Sequence, residues 1–227
     1  MKFIFIFLIA ASIVSCIAQT PTEMEQEDNL NPTMTYLALG DSYTIGESVS
    51  EQDRWPVLLV KSLKENGIEF SAPRILAKTG WTTGELLTAI ENEQIEGQFD
   101  LVTLLIGVNN QYRGYDIEEF RTEYIQLLDI AIAFAQNDPA KVIIVSIPDW
   151  GVSPFAAGQD LEKISKKIDA FNAIKKEETL KKSVKFVDIT EISRKALYNS
   201  LYIAEDGLHF SGAMHQLWVN EIIRTCY

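Results

Sequence analysis

Cysteine is almost missing from the chain. Two occur in 227 residues, Cys16 near the start and Cys226 beside the end, so no disulfide framework can organise the fold. Cys226 reads as an incidental terminal thiol. Basic residues are also few: 20 Lys and Arg stand against 32 Asp and Glu, for a net charge of −12. A chain this acidic has little with which to neutralise phosphates. That argues against nucleic-acid binding and against a polybasic grip on anionic lipid. There are only two histidines and no cluster of residues at metal-ligand spacing. No apolar run reaches the roughly 20 residues of a spanning helix, and no G-x-S-x-G nucleophile elbow occurs. The glycine-bearing segment after the first internal apolar run, Gly40-Asp41-Ser42-Tyr43-Thr44-Ile45-Gly46, is not a Walker phosphate loop. What remains is ordinary, 47% hydrophobic and 23% charged. This excludes collagen-like and largely disordered classes and fits one globular domain with an appendage.

The appendage is the N-terminus. Lys2 is the only charge before Glu23, and residues 3–11 are all apolar. A positive start, a short apolar run and small residues read as a secretory signal over residues 1–18. Two cleavage points compete. Ile13-Val14-Ser15-Cys16 resembles the lipobox of bacterial lipoproteins, in which the cut precedes a cysteine that then carries a diacylglycerol. The other point follows Ala18. The resemblance favours the first, which makes Cys16 a lipidation site and the protein an exported, membrane-anchored lipoprotein. The second would leave it periplasmic or secreted. Residues 19–33 are polar, with four acidic residues and two prolines, and read as a tether ahead of a domain over residues 34–227.

Within that domain short apolar runs alternate with amphipathic stretches. Strands are expected at residues 36–39, 74–78, 101–106, 142–147 and 184–188. The third and fourth are continuously apolar, as for strands covered on both faces. Helices are expected at residues 55–66, 83–92, 117–136, 160–180 and 211–226. The alternation implies an α/β fold, a parallel sheet between two helical layers. In such sheets ligands bind beyond the carboxyl ends of the strands.

Four segments at or near those ends carry chemistry. The first strand runs into Gly40-Asp41-Ser42, where a serine can present Oγ to a cleft or equally cap a helix. The second runs into Thr79-Gly80-Trp81, a turn whose glycine N–H can approach a ligand. The third ends in Gly107-Val108-Asn109-Asn110, where an asparagine amide can face developing negative charge or form an Asx-turn. Near the C-terminus lies Asp206-Gly207-Leu208-His209. A serine nucleophile needs an imidazole base, the imidazole needs a carboxylate on Nδ1, and an Asp three residues before the His can supply it. His215 has Gly212 at the corresponding position and reads as a packing histidine.

In order and coarse spacing these segments resemble the first, second, third and fifth blocks of the SGNH/GDSL hydrolases, over essentially the whole chain from Met34 on. The resemblance implies a flavodoxin-like three-layer α/β/α sandwich with a five-stranded parallel sheet. It implies Ser42 as nucleophile, His209 as base and Asp206 as its orienting partner. It also implies an oxyanion hole made of the Ser42 and Gly80 N–H groups and the Asn109 amide, with no metal or organic cofactor. Tyr43, Asn110 and Phe210 depart from the usual Leu, Asp and Pro, and none of these removes a catalytic group. The expected activity is carboxylic ester hydrolysis of the lysophospholipase or short-chain esterase type, on a small-molecule, lipid or glycan ester. The alternatives are a carbohydrate O-acetylesterase and a non-catalytic surface-binding lipoprotein on the same fold. The segments at residues 45–54 and 148–158, with Trp55, Trp150 and Phe155, are expected to flank the cleft.

Overall fold

The computed structural model describes Met1 and residues 33–227. Apart from Met1, the expected signal, with the lipidation site Cys16, and all but the last residue of the tether lie outside the described residues. From residue 33 on, five strands form one parallel sheet: β1 (Tyr36–Gly40), β2 (Arg74–Ala77), β3 (Leu101–Leu105), β4 (Val142–Val145) and β5 (Lys185–Val187). Their spatial order is β2-β1-β3-β4-β5, the flavodoxin-like order. The five longest helices are α2 (Trp55–Glu65), α3 (Thr83–Glu93), α5 (Ile117–Phe134), α6 (Leu161–Lys181) and α8 (Gly212–Cys226). Helices α2 and α8 pack on each other, as do α3 with α5 and α5 with α6. Right-handed crossovers put these two groups on opposite faces of the sheet.

The strand pattern follows from that double cover. Every residue of β1, β3 and β4 is buried, so neither face needs polar side chains. Helix starts are fixed by caps. Thr82 and Glu85 form a reciprocal capping box on α3, and Asp116, Asp160 and Ser211 cap α5, α6 and α8, each satisfying N–H groups that the first helical turn leaves open.

Two features differ from the sequence-based expectation. β4 stops at Val145 rather than at residue 147, because a side chain captures the next stretch of backbone. The Ile147 N–H donates to Asn172 Oδ1 at 2.8 Å, and Asn172 Nδ2 donates to the Ile147 carbonyl at 2.9 Å. Three short helices were not expected: α1 (Ser42–Ile45), α4 (Val108–Arg113) and α7 (Thr190–Ser193). At four to six residues they are too short to show a helical period. Two of them lie where the sheet changes direction. The crossovers from β1 and from β3 leave on opposite sides, opening the crevice between these strands in which ligands of such sheets bind.

Candidate active site

The first strand turns into α1 without a spacer because Gly40 has no side chain. A Cβ there would lie 2.1 Å from Thr44 Oγ1 and 2.4 Å from the Leu105 carbonyl. Asp41 caps α1 by accepting the Tyr43 N–H at 3.0 Å. Ser42 is therefore the first helical residue, 5% exposed, on the wall of a cavity at the carboxyl edge of the sheet.

The second and third turns meet it there. Gly80 and Asn109 line the same cavity. Asn109 Nδ2 donates to the Trp81 carbonyl at 2.9 Å, which spends one of its two amide hydrogens and fixes the plane of the other. Asn110, beside it, faces inward. Its Oδ1 accepts the Thr83 N–H at 3.0 Å, and its Nδ2 donates to Thr83 Oγ1 at 2.7 Å. Arg113 at the end of α4 donates to the Gly80 carbonyl at 2.6 Å and pairs with Glu85. The turns bearing Gly80 and Asn109 are thus tied together by side chains of α4.

The fourth segment closes the ring. His209 lines the cavity, is 8% exposed, and stands edge-on to Tyr43 at 5.7 Å. Its Nδ1 is 2.6 Å from Asp206 Oδ2. The Leu208 and His209 N–H groups both donate to Asp206 Oδ1 at 2.9 Å, and Ser48 Oγ donates to Oδ2 at 2.8 Å. Partial burial works to raise the Asp206 pKa, but these bonds outweigh it and hold the carboxyl far below its ordinary value. Asp206 is therefore an ionised acceptor that fixes the His209 ring and leaves Nε2 for the cavity. No hydrogen bond joins Ser42 Oγ to His209 among the described residues; such bonds are commonly loose until substrate tightens them.

The cavity has a volume of about 150 Å³ and is open to solvent on one side. Tyr112, Trp150 and Phe155 form one wall, with ring centroids 5.3 to 6.2 Å apart. Trp150 is held by its Nε1–H, which donates to Gln111 Oε1 at 2.7 Å. Phe155 donates its backbone N–H to the Gly207 carbonyl at 2.9 Å, so the aromatic wall is stapled to the loop that carries Asp206 and His209. Of the two segments expected to flank the cleft, residues 148–158 do so through Trp150 and Phe155. Residues 45–54 do not line it, and Trp55 is wholly buried in the core.

The structure thus brings Ser42, Gly80, Asn109 and His209 to one cavity, with Asp206 one hydrogen bond behind. Sequence reasoning passed over Ser48, Arg113 and Tyr112. None carries a local signal, since Ser48 meets Asp206 across 158 residues of chain and Arg113 meets Gly80 across 33. His215 does not join the cavity. It is buried, with Nδ1 3.0 Å from the Asp53 carbonyl and its ring 4.9 Å from that of Trp218.

The family model of the GDSL-like Lipase/Acylhydrolase family matches residues 38–217. Among curated proteins none matches. Several solved structures share the fold. TesA has a TM-score of 0.65 at 19% identity, over 84% of this chain and 97% of its own. The lipase/acylhydrolase from Enterococcus faecalis has a TM-score of 0.64 at 21% identity, over 85% and 94%. The acetyl xylan esterase AlAXEase has a TM-score of 0.67 at 16% identity, over 86% and 100%.

Proposed function

The chain belongs to the GDSL-like Lipase/Acylhydrolase family and is a carboxylic ester hydrolase, and from that premise we propose that it is a short-chain serine esterase working through an acyl-enzyme on Ser42. His209 Nε2 takes the Ser42 proton as Oγ attacks the ester carbonyl. The same imidazole gives that proton to the departing alcohol, and water, activated in turn by His209, releases the acid. Asp206 keeps Nδ1 protonated and stabilises the imidazolium. The Ser42 and Gly80 N–H groups and the free Asn109 amide hydrogen hold the oxyanion.

The observation that carries the reading is the convergence of these groups on one cavity together with the fourfold-bonded Asp206 behind His209. The size of that cavity supports the short acyl chain. A space of about 150 Å³ is about that of one benzene-sized group, and it opens to solvent at its mouth, so a short acyl chain fits within it while a longer one would extend outward. This favours the short-chain esterase over the lysophospholipase form of the reading.

A carbohydrate O-acetylesterase is the second reading, since an acetyl group fits the same space and AlAXEase shares the fold. The N-terminal segment adds export and a tether at Cys16, which the mass of the mature chain would test by a diacylglycerol on that thiol.

The test is a series of p-nitrophenyl esters from C2 to C12, with Ser42→Ala beside the native protein and a fluorophosphonate probe on both. The expected result is hydrolysis peaking at or below C6, with turnover and labelling both lost in Ser42→Ala. Labelling or turnover that survives in the variant would place the nucleophile elsewhere. An optimum at C10 or C12 would return the lysophospholipase form, and an optimum confined to C2, with release of acetate from acetylated xylan, would favour the second reading.

A further inference from the structure

Helix α6 buries a charged side chain in the core. Lys175 is 0% exposed. Its Nζ donates to the carbonyls of Ile106 and Val145, each at 2.9 Å. These carbonyls lie just past the point where β3 and β4 last pair, at Leu104↔Ile144. The Ile106 carbonyl belongs to the peptide that leads into Gly107, Val108 and Asn109.

The other pole of that peptide is the Gly107 N–H. It is among the groups that favour the ionised form of Asp41, as are the Tyr43 N–H and the charge of Lys175. Asp41 is 0% exposed, and its Oδ2 has no hydrogen-bond partner within 3.5 Å. One peptide unit is therefore gripped at its carbonyl by a buried ammonium, while its N–H, without a hydrogen bond to Asp41 among the described residues, lies near enough to help stabilise the buried carboxylate that immediately precedes Ser42. The grip has a target. Gly107 has φ of 122°, and a peptide next to glycine can rotate at little steric cost. Rotation there would swing the turn that carries Asn109.

We propose that Lys175 and Asp41 are positioning residues that lock the Ile106–Gly107 peptide and so hold the Asn109 amide in register with Ser42. The inference rests on the oxyanion role given to Asn109 above. It has electrostatic support: burial pushes the Lys175 pKa down and the Asp41 pKa up, and in each the charge of the other opposes the shift. An isolated buried charge of either sign is costly, and although no ion pair within 4.0 Å joins the two among the described residues, each charge eases the burial of the other. The lock acts on preorganisation, so its loss appears in turnover rather than in substrate affinity.

Three variants test it with p-nitrophenyl butyrate, well below their melting temperatures and with Asn109→Ala as reference. Asp41→Asn keeps a capping side chain of the same shape and removes the charge. Lys175→Met removes the grip. The double variant removes both charges. A lost oxyanion donor costs about 100- to 1000-fold in kcat, and Asn109→Ala should fall in that range. A misplaced donor should cost less, about 10- to 100-fold, with KM within about twofold. In the double variant the melting temperature should recover towards native, because no buried charge is left unpaired, while kcat stays low. Native kcat in Asp41→Asn would overturn the proposal. So would a kcat that recovers along with melting temperature in the double variant, since that is the behaviour of a structural pair. The proposed nucleophile is judged separately: activity persisting in Ser42→Ala sinks that reading, whereas native turnover in Asp41→Asn with Ser42 still labelled sinks only the lock.

Discussion

His215 and His209 show how completely surroundings decide what an imidazole does. His209 faces a cavity with a carboxylate on Nδ1. His215, six positions on, has, among the described residues, the Asp53 carbonyl on Nδ1 and the Trp218 ring beside it. Burial, against a smaller opposing effect of Asp53, pushes the His215 pKa down to about 4 from its ordinary 6.5. The folded protein therefore binds fewer protons at this site than the unfolded chain does between those values. Its contribution to stability is whole above pH 6.5 and is lost as pH falls towards 4. The melting-temperature advantage of the native protein over His215→Gln should narrow from pH 7 to pH 4.5, and a constant difference would show that the site does not titrate in this way. At this scale the sequence was informative wherever a role is local. Asp206 and His209 are three residues apart, and Gly40 abuts Ser42, so both relations are written in the order of residues. Ser48, Arg113 and Lys175 meet their partners across 158, 33 and 69 residues of chain, and nothing adjacent to them in the sequence announces the partner.

Among the elements, the strands were legible because a doubly covered sheet demands unbroken apolar runs, and the long helices because their caps and periodicity agree. The misjudged end of β4 has a specific cause in Asn172, which meets Ile147 from 25 residues away. Helix α4 escaped notice for want of length, yet it fixes two of the turns at the cavity. Asn110 is its inward anchor, and its chemistry explains why an amide stands there. The side chain both accepts from the Thr83 N–H and donates to Thr83 Oγ1, while that hydroxyl donates onward to Glu123. A carboxylate could accept but not donate. Asn110→Asp should therefore destabilise the fold by about 1–3 kcal/mol, measured by urea unfolding at neutral pH. An unchanged midpoint would mean that the α3–α4 contact does not depend on that donor.

For the molecule as a whole, the parallel sheet gathers the chemistry at one edge. Four segments spread over some 170 residues of chain reach a single cavity because every strand points the same way and the crossovers diverge between β1 and β3. The acidic surface and the fold class could be read in advance from composition and alternation. The dimensions of the cavity could not, because they depend on how Tyr112 of helix α4 meets Trp150 and Phe155 of the segment after β4. One link in that wall reaches beyond packing. The Phe155 N–H holds the Gly207 carbonyl, between Asp206 and His209, so the wall proposed to take the acyl chain and the pair proposed to move the proton share a mechanical joint. A chain too long for the space should do more than fit poorly: by displacing Phe155 it should drag the imidazole off line. Beyond the optimum of the ester series kcat should fall more steeply than KM rises, and a rise in KM alone would show that the joint is slack. If the joint is taut, the enzyme proofreads size by its own misalignment, and widening the wall to accept longer esters will require loosening Phe155 from Gly207 as well as trimming its ring.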